Sequence, residues 1–586
     1  MNKPSQINDD SLRYDSFDNG EMFESKCNQR LPLMGWNSWN AFGSGNNETL
    51  TLAMAEKIKE LGLDELGYKY IILDDGCYEN VRIEDRLCNS KERFPGGFKP
   101  LADKLHAMGL KFGMYNDIGD RLCSGAQVGL YGHEEIDAQS YAQWDIDFIK
   151  VDNCYYLWDN ATFADPTNAK YSFAPNIRSI KIDGNEYNAI TDGTVTGLIG
   201  KKTDSYVTFI GTFDGTAPDH TPVGNRSSEL IFNIDSDCDK TCELMVEYAS
   251  GKEEGIGQWL QVAVGNKIFF DDMLEETSQP TEFIYSSIIK VELKKGSNKL
   301  RLMNHRRQEN TLSSYVHFKN ALSKYIPDRE IVLSVCEWGK TQPQNWAYKV
   351  GNYWRILNDI TFAIGSPEGD YGTCSWEADY TTSITSQYNK AVIMDEFSGP
   401  EKGWNDPDML VIGMNGLTYT MNKSHMAMWC MMCSPLMLGL DMRRVEKGDD
   451  IFNLIANKEL ISIDQDELGV QAKRIFTTYK CDEPDKEYIR DNKRTDVLCK
   501  PLNDGSIALS FFNIDKDEAS KKVTIDVALI MKNLSHKMVD PDKFANAKSY
   551  EIKDCFTGEK CILNDKEFTV ENIAPCDSIV WKVKPL

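Results

Sequence analysis

Long hydrophobic runs and positive charge are both scarce in this sequence of 586 residues. No apolar stretch reaches the roughly 20 residues that a membrane-spanning helix needs. Lysine and arginine together number 65 against 90 acidic residues, which gives a net charge of −25. Nucleic acids and anionic membrane surfaces bind basic patches, so this balance argues against both as partners and favours neutral or cationic ligands.

Zinc-site and targeting signals are also missing. The sequence contains no pair of CxxC motifs, which argues against a structural zinc site. The first thirty residues are polar and include no apolar region of the kind found in signal peptides. Either such a signal has been removed, or the chain is not secreted by that route.

Cysteine, by contrast, is abundant, with 16 residues. Cys238 and Cys242, like Cys555 and Cys561, have the close spacing of small disulfide loops. Such loops predict an oxidising compartment, so we expect the chain to be secreted, lysosomal or vacuolar. The alternative is a reduced protein that is simply rich in cysteine.

Strand and helix patterns alternate through two stretches of the chain, residues 31–164 and 311–470. This alternation predicts a parallel sheet with helical crossovers. Eight short apolar runs are counted, ending near Trp39, Asp75, Asp117, Asp152, Glu337, Asp359, Asp408 and Gly439. Eight such units predict an α/β fold, a (β/α)8 TIM barrel whose active site lies at the carboxyl ends of the strands.

Two further regions have the period-two pattern of antiparallel strands. Residues 165–310 predict an antiparallel β-sandwich inserted after the fourth barrel strand, and residues 471–586 predict a C-terminal antiparallel β-sandwich. Residues 1–30 form an N-terminal extension in this scheme. An insertion at that point lies in a loop on the active-site face of the barrel.

Carboxylates end six of the eight predicted barrel strands, which points to one polar pocket. Asp152 follows Lys150 by two residues in a strand, so both side chains share a face and the ammonium group favours the ionised carboxylate. A simple ion pair would explain that motif equally well. Asp359 alone could be a helix N-cap. Asp74 and Asp75 are adjacent acceptors that could hold sugar hydroxyls or a metal ion.

Eight motifs, in order along the chain, resemble the α-galactosidases of glycoside hydrolase family 27. They are MGWNSWNAF, ILDDGCY, FGMYNDIGDRLCSG, FIKVDNCY, SVCEW, YWRILND, GWNDPDMLVIG and MCSPLMLGLDMR. The resemblance implies a retaining exo-α-galactosidase that acts on α-galactoside glycans and needs no cofactor or metal. The inserted segment resembles a carbohydrate-binding module; a spacer or a contact within a homo-oligomer are its alternatives.

The same resemblance assigns roles to particular residues. It implies that Asp152 is the nucleophile and Asp359 the acid/base, and that Cys123 and Cys154 form a disulfide beside the site. The implied galactose-binding residues are Trp39, Asp74, Asp75, Tyr115, Lys150, Glu337, Arg355 and Asp408. Cys336 has no evident disulfide partner, because the position near Gly351 where one would be expected is not cysteine.

Glycoside cleavage with retention requires two carboxyl groups about 5–5.5 Å apart, one of them protonated at the start. Because an arginine aimed at Asp359 would oppose that protonation, we expect Arg355 to point instead toward the sugar or the nucleophile. Glu337 is expected to contact the sugar 2-hydroxyl and to clash with an acetamide there, which favours galactose.

Other functions remain open at this point. The same scaffold could act on β-L-arabinopyranosides, α-N-acetylgalactosaminides or isomalto-glucans. A protein of another class, a catalytically silent carbohydrate-binding protein, could use the inserted sandwich. The presence of aspartate at both 152 and 359 argues against that second class.

Overall fold

Eight parallel strands form the central sheet of the protein. The computed structural model describes residues 30–154, 171–197, 200–213, 227–250, 257–340, 342–378 and 382–586. In chain order, strands one to eight of the sheet are Met34–Asn37, Tyr70–Ile72, Lys111–Asp117, Phe148–Asp152, Val332–Cys336, Tyr353–Arg355, Trp404–Asp406 and Leu436–Leu438.

The order of these strands confirms the predicted barrel. Strands seven down to one are neighbours in sequence order, and strand one pairs on its other side with strand eight. A parallel bridge between Leu410, just beyond strand seven, and Leu438 joins the two ends of the sheet. The strands are almost wholly buried, as expected for a parallel sheet covered by helices on its outer face.

Helices occupy the connections between the barrel strands. They are Trp39–Phe42, Glu48–Glu60, Phe98–Ala107, Glu134–Trp144, Arg306–Tyr325, Ile384–Ala391, Tyr419–Met431, Asp450–Ile455 and Lys458–Asp464. The second begins where the Asn47 side chain accepts a hydrogen bond from the Leu50 N–H at 3.0 Å. The helix ends at Glu60, and Gly67 ends the 3₁₀ turn Asp64–Leu66 that follows.

The region after strand four folds into two antiparallel sheets packed around a common apolar core. One contains Asn176–Ile182, Asn185–Asn188, Lys201–Lys202, Val207–Thr208, Lys240–Ala249, Ile284–Tyr285 and Ile289–Leu293. The other contains Tyr171–Phe173, Thr194–Thr196, Gly211–Phe213, Ser227–Ser236, Trp259–Val264, Lys267–Met273 and Gly296–Met303. This is the predicted sandwich, and the chain then returns to the barrel through helix Arg306–Tyr325.

The C-terminal part is also antiparallel. Its six-stranded sheet contains Lys473–Thr477, Thr495–Pro501, Ile507–Asn513, Tyr550–Asp554, Lys560–Leu563 and Ser578–Pro585, and Val523–Asp526 pairs with Glu567–Val570. Two helices, Val527–Leu534 and Pro541–Asn546, connect its strands. It is fixed to the barrel by contacts such as the Trp376 indole N–H on the Ile514 carbonyl at 2.9 Å.

Two of the predicted disulfide loops do not form. Cys242 points into the core of the inserted sandwich, whereas Cys238 is exposed in the turn before that strand. Cys555 is buried just beyond one strand, and Cys561 is exposed on the next. All four are free thiols, because in each pair one thiol is buried and the other is exposed to solvent.

None of the helices in the described part of the chain combines the length and apolar character needed to cross a bilayer.

Candidate active site

Asp152 is the last residue of strand four and is only 5% exposed. Its Oδ2 accepts a hydrogen bond from the Tyr115 hydroxyl, on neighbouring strand three, at 3.0 Å. Lys150, two residues earlier on the same strand, places its Nζ 3.8 Å from Oδ1. Oδ2 is thus held by a hydrogen bond, while Oδ1 has no hydrogen-bond partner within the described residues.

Lys150 lies between two carboxylates rather than beside one. Its Nζ is 3.0 Å from the Asp74 Oδ2 and 3.8 Å from Asp152. The same Asp74 oxygen accepts a hydrogen bond from the Asn37 side-chain amide at 2.8 Å. The ammonium group therefore links the ends of strands two and four, and the predicted sharing of one face by Lys150 and Asp152 is observed.

The adjacent residue Asp75 is held differently. Both of its oxygens accept hydrogen bonds from Ser124, Oδ2 from the backbone N–H at 2.7 Å and Oδ1 from the hydroxyl at 2.9 Å. Ser124 follows Cys123, which forms a disulfide with Cys154 across a Cα–Cα distance of 5.2 Å. The predicted disulfide is therefore present, and Asp75 ties its loop to the end of strand two.

Arg355, at the end of strand six, forms the second charged centre. Its Nη2 lies 3.0 Å from the Asp359 Oδ1 and 2.8 Å from the Asp408 Oδ2. We expected Arg355 to point toward the sugar or the nucleophile instead of Asp359, and this is wrong. The Arg355 side chain is 3% exposed and forms ion pairs with both carboxylates at once. An unpaired charge at that depth would be costly.

Asp359 itself is the more open of the two predicted catalytic acids. Its side chain is 29% exposed, and it follows strand six in an irregular connection. The next helix in the described chain begins only at Ile384, so Asp359 is not the helix N-cap that its sequence position also allowed. Arg355 is the partner that orients it, through the 3.0 Å ion pair.

Cys336 joins the two centres. It lies opposite Asp152 in the parallel pairing of strands four and five, so its side chain faces the same interior. Its Sγ accepts a hydrogen bond from Arg355 Nη1 at 3.6 Å. The thiol also lies beside the Asp152 carboxylate, and it is wholly buried and unpaired.

Burial dominates the proton affinities at this end of the barrel. It raises the pKa of Asp152 to about 7, although Lys150 lowers it and the negative charges of Asp74 and Asp359 add to it. The pKa of Asp117 is about 7 and that of Asp406 about 6, again mainly because both are buried.

The remaining predicted residues surround these groups. Trp39 is half-buried in the short helix after strand one, and Glu337, the residue after strand five, is wholly buried. Asp408 adopts a left-handed backbone with φ of 77° and accepts the Ile360 N–H at 2.8 Å. A small cavity of about 40 Å³ has a polar lining of Asn37, Lys150, Ser334, Arg355, Asp406 and Asp408.

Three neighbours of the site were not among its predicted members. Asn37 bonds Asp74, Asp406 accepts the Asp408 N–H at 2.8 Å, and Asp117 accepts the Cys154 N–H at 2.6 Å. Asp117 stands at a counted strand end, which was the signal that could have found it. Asn37 and Asp406 act through the predicted residues, and only the folded contacts reveal them.

Two groups of side chains in the described regions are close enough together to be weighed as metal sites. Cys123 and Cys154, beside Asp117, form the disulfide and so offer no thiolates. The other group is Asp103, His106 and Asp145, at the opposite end of strand four from Asp152. The first group borders the candidate nucleophile, because the Cys123 Sγ lies 3.3 Å from the Asp152 Oδ2.

Known proteins similar to this chain agree with the geometry. The family model described as Alpha galactosidase A matches residues 31–179 and 294–466, and the Alpha galactosidase C-terminal beta sandwich domain matches residues 492–583. An alpha-galactosidase of Cyamopsis tetragonoloba is 26% identical over 84% of this chain and 74% of its own. Alpha-galactosidase A of Cellvibrio japonicus is 27% identical over 83% of this chain and 76% of its own.

Among solved structures, alpha-galactosidase I of Mortierella vinacea superposes with a TM-score of 0.59 at 22% identity, covering 95% of this chain and 98% of that one. This likeness bears on the fold. The two matched segments of the first family model flank the inserted sandwich and contain all eight barrel strands. The chain therefore belongs to the Alpha galactosidase A family of glycoside hydrolases.

Proposed function

We propose that the protein is a retaining exo-α-galactosidase that releases terminal α-linked galactose from oligosaccharides or glycoconjugates. The observation that carries the proposal is the convergence of Asp152 and Asp359 at one end of the barrel, linked through Cys336 and Arg355. Two carboxyl groups flanking a sugar are what double displacement requires.

Asp152 acts as the nucleophile. Its carboxylate attacks the anomeric carbon, the bond to the leaving oxygen breaks, and a glycosyl-enzyme ester forms. Tyr115 fixes one carboxylate oxygen at 3.0 Å, and the unpartnered second oxygen is free to attack. Lys150 supports the ionised form that the attack needs.

Asp359 acts as the acid and then as the base. It gives its proton to the departing oxygen, and in the second step it takes a proton from the water that opens the ester. Its greater exposure suits a group that must meet both a leaving group and water.

The other predicted residues hold the galactose. Asp74 and Lys150 form a charged pair able to bind hydroxyl groups, and Trp39 offers an apolar ring face to the C–H side of the sugar. Asp75 supports the site indirectly, because both of its oxygens already accept hydrogen bonds from Ser124. Glu337, wholly buried at the end of strand five, contacts the 2-hydroxyl and leaves no room for an acetamide.

The test is to follow the first released sugar by proton NMR. The proposal predicts galactose, appearing first as the α-anomer, from an α-galactoside. Matched nitrophenyl glycosides of α-galactose, α-N-acetylgalactosamine and β-L-arabinopyranose should be cleaved with a clear preference for the first. Initial release of the β-anomer would contradict the retaining mechanism, and preference for another sugar would contradict the substrate.

A further inference from the structure

The segment that follows Asp359 forms an arch between two parts of the site. It starts at Asp359, which is bonded to Arg355. Six residues later the Gly365 N–H donates to the carbonyl of Asn40 at 2.9 Å, and Asn40 is the neighbour of Trp39. Both ends of this arch, residues 359–365, are therefore anchored at the pocket, one at the proposed acid and the other at the proposed sugar platform.

The backbone of the arch is fixed on both sides of its midpoint. The Ile360 N–H donates to Asp408 at 2.8 Å, and the Thr361 hydroxyl donates to the Thr373 carbonyl at 2.6 Å. The Thr373 N–H in turn donates to the Ala363 carbonyl at 2.7 Å. Ile360 and Thr361 are buried at 0% and 4% exposure.

Phe362, between these anchored residues, is turned outward. Its side chain is 68% exposed, the highest value for a large hydrophobic residue in the described chain. Exposed large apolar groups held on ordered backbone commonly mark binding sites. The fixed backbone therefore holds an exposed aromatic ring three residues from Asp359.

We propose that Phe362 is the stacking platform of a leaving-group subsite, which takes the ring of a sugar or aromatic aglycone. The inference rests on the proposed role of Asp359. An acid that protonates the leaving oxygen must lie on the leaving-group side of the galactose. Phe362, three residues further along the arch, lies on that same side, and its face can pack on the C–H surface of the next ring.

Tyr371 provides a matched control. It is also aromatic, it lies in the same connection after strand six, and it is 37% exposed. Its ring face, however, is already covered by the Arg444 guanidinium, whose central carbon is 3.3 Å from the ring centroid. The two side chains therefore differ in whether a free face is available to a ligand.

The experiment compares Phe362→Ala, Phe362→Tyr and Tyr371→Ala with the wild-type enzyme. Two substrates are used: a disaccharide in which galactose is α-linked to glucose, and α-galactosyl fluoride, whose leaving group has no ring. Phe362→Ala should lower kcat/KM for the disaccharide roughly three- to tenfold. It should leave kcat/KM for the fluoride and the inhibition constant of galactose unchanged. Phe362→Tyr should restore the disaccharide value, and Tyr371→Ala should match wild type throughout.

An equal loss on both substrates, or no loss on either, would overturn the inference, as would an equal effect of Tyr371→Ala. Turnover of the fluoride by the wild-type enzyme tests the proposed function separately.

A binding experiment tests the same inference without turnover. In the Asp152→Asn background the disaccharide should bind more tightly than galactose, and adding Phe362→Ala should abolish that difference; its persistence would also overturn the inference.

Discussion

Asp152 and Asp359 are the same residue type in the same barrel, and their surroundings differ in nearly every respect. Asp152 is 5% exposed, lies at the end of a regular strand, and is approached by Tyr115, Lys150 and Cys336. Asp359 has a 29% exposed side chain on an irregular connection, with Arg355 as its ion-pair partner. The rigid, dry position suits a nucleophile that must meet one carbon atom, and the open position suits a group that exchanges protons with changing partners.

The largest effect should come from Asp152→Asn. The amide is nearly isosteric but cannot form the glycosyl ester, so kcat for α-galactosides should fall by at least about a thousandfold. Galactose binding should persist, because Asn37, Asp74 and Asp408 are untouched. Steady-state kinetics and calorimetric titration measure the two quantities. Activity above about one hundredth of wild type would remove Asp152 from the nucleophile role.

The second largest effect should come from Asp359→Asn, and it should depend on the leaving group. General acid catalysis contributes roughly a hundred- to ten-thousandfold, and a good leaving group such as a dinitrophenolate needs no proton. The variant should therefore lose far more activity on a disaccharide than on the dinitrophenyl galactoside in the first, glycosylation step. A burst experiment separates that step from ester hydrolysis, and an equal loss in the two glycosylation rates would contradict the assignment.

The pH profile of kcat/KM tests whether the burial of Asp152 sets the pKa of its carboxyl group. Desolvation holds the pKa of Asp152 at about 7, above its ordinary value, so the carboxylate is protonated as pH falls below that point. A nucleophile must be ionised, so kcat/KM should fall about tenfold per pH unit on the acid side. In Asp359→Asn the acid limb should move to lower pH, because the charge of Asp359 no longer raises the pKa of Asp152, but it should stay above the ordinary carboxyl range. A wild-type limb near the ordinary carboxyl pKa would show that burial is not decisive.

The sequence was sufficient for the barrel because each strand is a short apolar run that ends on a polar residue, and that pattern depends only on local chemistry. The pairing of Cys123 with Cys154 was available only through the family resemblance, and the sugar-binding role of the inserted sandwich stays a prediction. What could not be predicted depends on contacts between distant segments. Arg355 lies between Asp359, four positions further along the chain, and Asp408, 53 positions further, so that two carboxylates share one guanidinium.

Cys238 and Cys555 show the same limit from the other side. Their spacing to Cys242 and Cys561 predicted disulfide loops, but whether each thiol is buried or exposed depends on how the neighbouring strands pack. Cys336 and Asp406 contact the predicted site residues, but nothing in the sequence around them predicted those contacts. Their importance comes from which strands become neighbours.

The smallest effect should come from substitution of Cys336, which lies beside Asp152 and accepts a hydrogen bond from Arg355. The groups that face Asp152 are Lys150 on its own strand, Asp74 after strand two, Tyr115 on strand three, Cys336 on strand five and Asp359 after strand six. The thiol beside Asp152 lowers the pKa of that carboxyl. Removing it should therefore raise that pKa and move the acid limb of kcat/KM upward.

The expected shift for Cys336→Ala is less than about one pH unit, since one neutral donor among several groups is lost. Cys336→Ser retains a donor of similar size and should keep the wild-type limb. A purely structural role would lower kcat/KM in both variants without moving the limb, because loosened packing changes the amount of competent enzyme and not the proton affinity of Asp152. A shift in Cys336→Ala that serine reverses would show that the buried centre is tuned by this thiol, and equal shifts in both variants would show that it is not.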